Sequence, residues 1–570
     1  MFETQPKQVP QPVLSTRGWG WIHHRLCLTA LAITLTLGTA VDGAGPSTQT
    51  RREDMTDSKT TMQETTPLWQ HAELRFKADR GRVTHTNVEF SAGFTGPDGT
   101  KLVMPGFWDG GDQWLIRFTP TSQGRWQWQT HCPELADLDG LRGAITAGPP
   151  EGDSPLYRRG GFLKVSENRR HLTYTDGTPF FWLGDTLWSA PTESHGPDPL
   201  PGEDTSMFHT VLAKRKEQGF TVFQMGFLGK INELGIDWLN PESWTDEHMA
   251  AWRRADIAFQ AAADSGIVCV FTCRWHHQFH QTPLERLVQL WRYIVARYAA
   301  FPIVFMVSGE YNAFVMSPST VHKVRALGPR IASLDPYKRA LSAHSWAYPF
   351  DRREIWDDPW CDFIMLQGGH SEPLTPFAYL EPYLRHNRKP VLESELLYEG
   401  IRDVVTPDDT RRGAYTAIFN GSFGFTYGSH GLWNASPTSE DGKWGKGVHW
   451  RDALNRPGGD HMAIMKQLLE SVEWWTLEPR PQAVEPLGGK QVHTLARDMS
   501  FFVVYIEAGV DPTRKLKLWT EDRINGSQAE WFNPRTGERT AVPGRLKIWW
   551  MYHLLPDRPD DNDWVLIVRT

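Results

Sequence analysis

Two apolar stretches that end in glutamate, residues 302–310 and 389–395, constrain the fold of this chain more than any other feature. Both lack the polar alternation of a half-exposed strand, which is the pattern of a strand buried on both faces, as in a parallel sheet. Charged side chains at the carboxyl ends of such strands lie where a parallel barrel carries its functional residues. The two stretches therefore predict that Glu310 and Glu395 lie at the same mouth of one barrel.

The middle of the chain alternates predicted strands with predicted helices. Helical periodicity is clear over residues 285–298, and Thr245 is suited to cap a helix over 245–263. Eight strands with intervening helices are the count of a (β/α)8 barrel, so we predict an α/β fold with this barrel at residues 160–478. The eight apolar strand candidates are residues 180–183, 220–225, 267–272, 303–307, 340–342, 363–366, 390–392 and 423–427.

Two all-β regions flank the predicted barrel. Residues 66–150 contain short alternating stretches, separated by Gly- and Pro-rich turns, that predict an N-terminal β-sandwich. These stretches include residues 85–91, 114–118 and 124–130. Residues 479–570 are predicted to form a C-terminal all-β domain, with strand candidates at 500–506, 516–519, 529–532 and 564–568.

The first 44 residues have the order of a secretory signal peptide. Basic residues that include Arg17 and Arg25 precede an apolar stretch over 26–37, and small residues follow it. The polar residues 45–65 that come next are predicted to be a disordered linker. This interpretation predicts a secreted or periplasmic protein that has no membrane association after cleavage, and an uncleaved membrane anchor is its alternative.

Composition narrows the classes of ligand. A net charge of −7 offers no basic surface for nucleic acid, and the sequence contains no glycine motif for binding phosphate. The chain has 27 Trp against 14 Tyr, and Trp supplies a flat apolar face with a polar edge, which suits a sugar ring. The expected partner is therefore a carbohydrate substrate, with no cofactor.

The residues that follow the predicted strands form a polar and aromatic set that suits a neutral, hydroxyl-rich ligand. Some have structural alternatives: Asp185 can orient a neighbour, and His344 and His370 can belong to the core. His276, with histidines at 277 and 280, can bind a metal, but adjacent positions in a strand point apart, so we predict no metal site. The candidates for substrate contact are Asp185, Trp188, Gln224, Trp275, His276, Asn312, His344, Gln367, His370 and Tyr427.

Several segments resemble the apiosidase-like glycoside hydrolases, glycoside hydrolase family 140 and its relatives. Residues 178–188 (TPFFWLGDTLW) are similar to the first barrel strand of that family. Its sixth, seventh and eighth strand ends are similar to residues 362–370 (DFIMLQGGH), 389–399 (KPVLESELLYE) and 421–428 (GSFGFTYG). The two flanking β regions resemble a domain that often precedes such barrels and a domain, described as collagen-binding, that often follows them.

The resemblance implies a retaining glycoside hydrolase with an acid/base after the fourth strand and a nucleophile at the end of the seventh. In a regular strand Glu393 and Glu395 share one face, so spacing alone does not choose between them, whereas the family pattern selects Glu395 as the nucleophile. Glu310 is then the acid/base, at a position where characterised members carry Asp, and this departure leaves the substrate open. Retaining enzymes hold the two carboxyl groups about 5–5.5 Å apart.

These features together predict a secreted retaining glycoside hydrolase that acts on a plant-type polysaccharide or oligosaccharide. Apiosidase-like exo action on pectin side chains is the form of activity that the resemblance favours. One alternative is an endo-acting glucanase or mannanase on the same barrel. The other is a non-catalytic protein whose β-domains bind polysaccharide or matrix.

Overall fold

The computed structural model describes residues 62–191, 196–226, 240–272, 275–313, 317–347, 354–371, 373, 375–385, 388–435, 444–520 and 526–570. All of them belong to the unit that spans Lys59–Thr570. The predicted signal peptide lies outside the described residues, as does the predicted linker 45–65 apart from residues 62–65, which open the first strand. Within the described ranges, no helix combines the length and the apolar character that crossing a membrane requires.

The N-terminal part consists of two β-sheets that face each other. Its strands are β1 (Met62–Pro67), β2 (Ala72–Lys77), β3 (Ser91–Thr95), β4 (Lys101–Pro105), β5 (Phe107–Trp108), β6 (Gln113–Phe118), β7 (Gly124–His131) and β8 (Arg142–Gly148). One sheet has the order β1-β8-β7-β3-β4 and the other the order β2-β6-β5. Trp126 and Trp128 of β7 are buried between them, and Phe94 stacks on Phe118 across the sheets at 3.9 Å.

One strand predicted in this part is wrong. His85–Asn87 form a 3-10 helix, and the next strand begins only at Ser91. His85, Val88 and Phe90 are nevertheless buried, because this irregular segment packs its apolar side chains on the sandwich and His85 stacks on Trp108 at 4.8 Å. Alternating burial therefore arose here without the ladder of backbone hydrogen bonds that defines a strand.

A parallel sheet forms the centre of the chain. It is preceded by the helix α1 (Pro155–Arg159) and by a small antiparallel sheet of β9 (Lys164–Val165), β10 (Leu172–Thr173) and β11 (Pro179–Phe180). The parallel strands are β12 (Trp182–Leu187), β13 (Val222–Met225), β14 (Val268–Phe271), β15 (Ile303–Phe305), β16 (Ile364–Gly369), β17 (Val391–Leu396) and β18 (Ser422–Tyr427). In the described part of the chain their order is β15-β14-β13-β12-β18-β17-β16, so β12 lies beside the last strand as well as the second.

Helices follow most of these strands. They are α2 (Met207–Glu217), α3 (Asp246–Asp264), α4 (His276–Gln281), α5 (Leu284–Tyr298), α6 (Ser317–Leu334), α7 (Pro376–Leu384), α8 (Pro407–Phe419), α9 (Trp450–Leu454) and α10 (Pro457–Ser471). The two predicted helices are confirmed as α3 and α5. Thr245 precedes α3, and its backbone N–H donates to His248 Nδ1 at 3.0 Å.

The predicted fifth strand is not a regular strand in the described residues. Isolated parallel bridges instead join Met306 to Ser342 and His344 to Met365. Met306 directly follows β15 and Met365 belongs to β16, so this segment lies between the two edge strands of the parallel sheet. The backbone N–H of His344 also donates to the oxygen of Ser308 at 3.0 Å, next to the end of β15.

The C-terminal part is a second pair of sheets. Its strands are β19 (Glu478–Pro479), β20 (Val484–Glu485), β21 (Val492–Arg497), β22 (Phe501–Ile506), β23 (Lys517–Trp519), β24 (Gln528–Phe532), β25 (Arg539–Ala541), β26 (Ile548–Trp549), β27 (Tyr552–Leu554) and β28 (Trp564–Arg569). The sheet orders are β19-β21-β22-β28-β24-β25 and β20-β23-β27-β26. This part docks on α8, where Arg411 makes a bidentate ion pair with Asp563 at 2.8 Å and Tyr415 stacks on Tyr505 at 4.5 Å.

A buried ion network joins the N-terminal sandwich to the central helices. Arg117 of β6 and Arg297 of α5 both contact Asp256 of α3, at 2.5 Å and 2.6 Å. Arg297 also contacts Asp109, which follows β5, at 2.8 Å. Burial raises the pKa of Asp256, but the charges of Arg297 and Arg117 outweigh this effect and hold the pKa well below its ordinary value.

We predict that Asp256→Asn lowers the free energy of unfolding by about 3 kcal/mol at pH 7, the lower end for a broken buried ion pair. The variant loses the carboxylate that Arg117 and Arg297 share, while Arg117 keeps Glu73 and Arg297 keeps Asp109. As a control, Lys515→Ala breaks an exposed ion pair with Asp557 and should change this free energy by less than about 1 kcal/mol. Urea unfolding of the wild type and of each variant measures these changes in free energy.

The difference in unfolding free energy between the wild type and Asp256→Asn should depend on pH. Because the folded-state pKa of Asp256 is depressed, its stabilisation is present above the ordinary carboxyl pKa and is lost as the pH falls below about 4. The difference in unfolding free energy between the wild type and Asp256→Asn should therefore be smaller at pH 3 than at pH 7. A difference that does not shrink would contradict the role assigned to this carboxylate.

Candidate active site

A cavity of about 840 Å³ lies at the carboxyl ends of the parallel strands. Glu310, which follows β15, and Glu395, near the end of β17, both line it. Aromatic side chains form much of the remaining wall, namely Trp188, Trp275, Trp346, Tyr398, Trp433 and Trp444. The two carboxylates that the strand ends predicted therefore share one cavity.

Glu310 has a left-handed backbone conformation, with φ of +49°, which is uncommon for a residue with a Cβ atom. Its Oε1 accepts a hydrogen bond from Gln367 Nε2 at 3.4 Å, and its Oε2 lies 3.5 Å from His276 Nδ1. The side chain is 19% exposed. A strained backbone beneath a side chain that faces a cavity is typical of functional sites.

Trp275 packs against the backbone immediately before Glu310. Gly309 forms a parallel bridge with Trp275, and a Cβ atom at position 309 would come within 2.3 Å of the indole ring. The backbone N–H of His276 donates to the oxygen of Gly309 at 3.1 Å. Glycine at this position therefore lets Trp275 and His276 lie beside Glu310.

Glu395 is more deeply buried than Glu310, with 7% of its side chain exposed. Its Oε1 lies 3.1 Å from His370 Nε2 and its Oε2 lies 3.5 Å from His344 Nε2. The backbone N–H of Tyr398 donates to His370 Nδ1 at 3.4 Å, so the network assigns the ring proton of His370 to Nε2, from which it donates to Glu395. The hydrogen bond from His370 thus orients this carboxylate, and the His344 ring lies beside its other oxygen.

A β-bulge in β17 separates Glu393 from Glu395. Leu366 of β16 pairs with Glu393 and the next residue, Gln367, pairs with Glu395, so Ser394 is an extra residue in the ladder. Glu393 is fully buried, and its Oε1 accepts the backbone N–H of Glu395 at 3.0 Å. The described lining of the cavity includes Glu395 but not Glu393, and the expectation that both share one face is wrong because the strand is not regular.

The protonation of two neighbouring side chains follows from their burial. Burial lowers the pKa of His344, although the charges of Glu395 and Glu310 oppose this effect, so the imidazole is neutral at pH 7. Burial and the charge of Glu395 raise the pKa of Tyr398 well above its ordinary value, and its hydroxyl donates to Thr186 Oγ1 at 3.2 Å. His344 and Tyr398 are therefore uncharged neighbours of the Glu395 carboxylate.

The structure brings most of the residues predicted from the sequence into this cavity. These residues are Glu310, Glu395, Trp188, Trp275, His276, Gln367 and His370. The predicted residues that the described cavity lining does not include are Asp185, Gln224, Asn312, His344 and Tyr427. A strand end carries residues that point into the mouth and residues that point towards the surrounding helices, and sequence position does not separate the two sets.

Three of the residues outside the lining support residues that are in it. Gln224 Nε2 donates to the backbone oxygen of Ser394 at 2.9 Å, at the bulge that precedes Glu395. Asn312 Oδ1 accepts from the backbone N–H of Trp346 at 2.7 Å. His344 lies beside Glu395, with its Nε2 3.5 Å from Oε2 of the carboxylate.

Asp185 and Tyr427 belong to a buried polar layer between the strands and the helices. Asp185 forms an ion pair with Arg215 of α2 at 2.6 Å, and both side chains are fully buried. Burial raises the pKa of Asp185, and the Arg215 charge opposes this shift. The Tyr427 hydroxyl donates to Glu399 Oε2 at 2.6 Å. Neither side chain is part of the described cavity lining, and each has a buried partner, so its contact with substrate stays a prediction.

Some lining residues were absent from the predicted set. Trp346, Tyr398 and Trp433 follow the fifth, seventh and eighth predicted strands, as the rule of strand ends indicates, but they were not among the candidates for substrate contact. Arg402, in a 3-10 helix over Ile401–Asp403, and Trp444 lie further from the predicted strands, where no sequence pattern marked them. The Arg402 guanidinium lies 5.5 Å from the Trp444 ring. Among the described residues, no group of three or more His, Cys, Asp or Glu is placed to hold a metal ion.

Comparison with known families assigns all three parts of the chain. Residues 166–476, more than half of the sequence, match the family described as "Apiosidase-like, catalytic domain". Residues 65–133 match a domain of unknown function (DUF5060), and residues 487–569 match the "Putative collagen-binding domain of a collagenase". No curated protein matches the chain.

Solved structures with a similar fold are glycoside hydrolases. A putative glycoside hydrolase from Bacteroides vulgatus is 18% identical with a TM-score of 0.67, and the match covers 89% of this chain and 99% of that one. A glycoside hydrolase family 5 protein from the same species is 23% identical with a TM-score of 0.59, covering 74% and 95%. A further glycoside hydrolase is 23% identical with a TM-score of 0.60, covering 74% and 98%.

The family match places the chain in the glycoside hydrolase class, and the fold agrees with that assignment. Within that class, the chain belongs to the apiosidase-like family. The family resemblance noted in the sequence is confirmed, together with the collagen-binding-type domain at the C-terminus.

We predict that Asp185→Asn and His276→Gln differ sharply in stability. Asp185→Asn leaves Arg215 buried without a charged partner and should lower the free energy of unfolding by about 3–5 kcal/mol. His276→Gln alters a partly exposed side chain at the cavity wall and should lower it by less than about 1 kcal/mol. Urea unfolding provides the measurement, and an Asp185→Asn protein as stable as the wild type would contradict the structural role.

Proposed function

We propose that this protein is a secreted retaining glycoside hydrolase that cleaves glycosidic bonds in a plant-type polysaccharide or oligosaccharide. The observation that carries the proposal is that Glu310 and Glu395 line one cavity and come from two different strands of a parallel sheet. Family membership supports glycosidase chemistry, and the family favours apiosidase-like exo action on pectin side chains.

The proposal includes closure of the parallel sheet into a (β/α)8 barrel. Segment 342–344 bridges towards β15 on one side and β16 on the other, which supports its place as the fifth strand position. In a closed barrel all strand ends meet at one mouth, and loops from different strands then deliver the catalytic residues. This arrangement accounts for a cavity whose lining comes from segments spread over more than 250 residues of sequence.

In the first chemical step, Glu395 attacks the anomeric carbon of the substrate and forms a covalent glycosyl ester. Glu310 donates its proton to the glycosidic oxygen as the bond to the anomeric carbon breaks, so the leaving group departs as an alcohol. In the second step Glu310 removes a proton from water, and the resulting hydroxyl displaces Glu395. We expect the two carboxyl groups to lie about 5–5.5 Å apart, since inverting enzymes separate them by about 6.5–9.5 Å.

The neighbours of the two glutamates support these different roles. His370 and His344 approach the two oxygens of Glu395, and this support suits a nucleophile whose direction of attack must be fixed. Glu310 is the more exposed of the pair, and Gln367 and His276 approach its two carboxylate oxygens at 3.4 Å and 3.5 Å. This setting suits a group that exchanges protons with a leaving group and then with water.

The walls of the cavity suit a sugar ligand. Indole rings offer flat faces on which the C–H surfaces of a sugar ring can stack, and Trp188, Trp275 and Trp346 lie on the side of the cavity near Glu310 and His276. Gln367 and His370 add hydrogen-bonding groups near the carboxylates. A volume of about 840 Å³ has room for more than one sugar residue, so part of the leaving group can bind beside the residue that is cleaved.

We predict that Glu395→Ala lowers kcat by about 10³-fold or more, because the covalent intermediate can no longer form. Azide should restore turnover of an aryl glycoside and give a glycosyl azide of inverted configuration. Activity assays on aryl glycosides and pectic oligosaccharides, with NMR of the product anomer, provide the measurement. Wild-type product that first appears with inverted configuration would overturn the retaining mechanism.

We predict that Glu310→Ala lowers kcat by about 10²- to 10⁴-fold on substrates with poor leaving groups, because proton donation is lost. The loss should be smaller on aryl glycosides whose leaving groups need no proton. Glu217→Gln, at an exposed position of α2, is the matched control and should retain full activity. A Glu310→Ala enzyme that cleaves natural and activated substrates with equal loss would contradict the acid/base role.

A further inference from the structure

The C-terminal part carries a row of aromatic side chains on one outer face. In the sheet β20-β23-β27-β26, Trp519 pairs with Tyr552, and Tyr552 pairs with Trp549 on the next strand. Residues that pair directly across neighbouring strands lie on the same face, with the strands about 4.8 Å apart. Leu518 and His553, which alternate with this row, are buried, so the row points away from the domain core.

The exposure of these rings is unusual for the outer face of a sandwich, where strands normally present polar residues. Trp549 is 51% exposed, and Trp550, in the turn after it, is 84% exposed. Clusters of exposed large apolar side chains mark binding sites in soluble proteins. The exposed rings therefore indicate a binding site for another molecule.

Trp550 also has an unfavourable backbone conformation. Its φ is +62°, and it is the first residue of the two-residue turn between β26 and β27. Such turns favour Gly, Asn or Asp because a left-handed conformation strains a residue with a branched or bulky side chain. Position 550 carries a large, exposed ring where this backbone conformation favours a small residue. The ring therefore does not stabilise the domain, which indicates a role in binding.

A shallow cavity of about 300 Å³ adjoins the row. Its lining combines rings with hydrogen-bonding side chains, including Trp519, Tyr552, Gln482, Glu485 and Arg480. Lys517 places its ammonium group 4.1 Å from the centre of the Trp549 ring. Flat faces with amide, carboxylate and cationic groups at their edges match a sugar chain, which offers C–H faces for stacking and hydroxyl groups for hydrogen bonds.

The charges around the row favour a neutral ligand. Arg480 forms an ion pair with Glu478 at 3.0 Å, and Lys517 stands opposite Glu485 on the neighbouring strand. Because Arg480 and Lys517 each have an acidic neighbour, these two cations do not favour a polyanion over a neutral ligand. Charged groups also interrupt the apolar rings, whereas a stable protein partner needs about 800 Å² of matched surface on each side.

We propose that Trp519, Trp549, Trp550 and Tyr552 form a binding surface for a neutral polysaccharide chain, separate from the catalytic cavity. The rings stack on successive sugar residues, and the polar groups of the adjoining cavity bind their hydroxyl groups. Such a site would hold the enzyme on polymeric material while the cavity acts on individual bonds. It extends the proposed hydrolysis by a second carbohydrate site in the C-terminal part.

Native gel electrophoresis of the full chain tests this surface. Gels that contain arabinogalactan, arabinoxylan or xyloglucan should slow the wild type in at least one case. The double variant Trp549→Ala with Trp550→Ala should bind about tenfold more weakly or worse, whereas Phe377→Ala, which removes an exposed ring from α7, should migrate like the wild type. Equal retardation of the double variant and the wild type, or no retardation in any gel, would overturn the proposal.

Trp550→Gly separates a binding role from a structural one. Glycine relieves the positive φ, so the variant should have an unchanged or higher Tm and should lose retardation in the gel. A lower Tm with undiminished retardation would show that the ring serves the fold. Retention on immobilised collagen that the double variant loses, without retardation in any polysaccharide gel, would identify a protein partner instead.

The proposed hydrolysis and the proposed aromatic binding surface can be tested separately. Retardation needs no turnover, so Glu395→Ala should migrate like the wild type even though it is inactive. Conversely, the double variant should hydrolyse a small soluble glycoside at the wild-type rate. Loss of that activity in the double variant would mean that the aromatic surface belongs to the catalytic site, which would overturn its separate role.

Discussion

The extra residue at Ser394 sets the direction of the side chains at the end of β17, and the cavity depends on it. With a regular ladder, Glu393 and Glu395 would point the same way and compete for one space. The bulge instead buries Glu393, whose carboxylate binds the backbone N–H of Glu395, and leaves Glu395 at the cavity between two imidazole rings. One carboxylate thus supports the position of the other, which is how a rigid strand can present a functional group accurately.

The same division between supporting and exposed groups occurs throughout the centre of the chain. Asp185 and Arg215 neutralise each other beneath the strand ends, while Gln224 of β13 binds the bulge of β17, from which β12 and β18 separate it in the sheet. At the edges of the central part, Asp256 and Asp563 join the two β-sandwiches to the surrounding helices through buried arginines. Buried ion pairs are expensive to break and specific in geometry, so they fix how the parts dock.

Much of this arrangement was predictable because strong local patterns carry it. The apolar runs at 303–307 and 423–427 became parallel strands, and the helix over 285–298 followed from its periodicity. Prediction failed where burial came from packing rather than from regular pairing. His85–Asn87 took a 3-10 helix despite its alternating pattern, and segment 342–344 made only isolated bridges.

The order of the parts, the parallel character of the central strands and the two glutamates at their ends follow from local properties, namely hydrophobic periodicity and position at a strand end. Which polar residues face the cavity depends on contacts in the folded protein. Trp444 and Arg402 line the cavity although they lie beyond the predicted strand ends, whereas Asp185 and Tyr427 lie in a buried layer. The direction of a side chain at a strand end depends on bulges, on neighbouring helices and on the partners available for buried charges, and these are set by contacts between residues far apart in the chain.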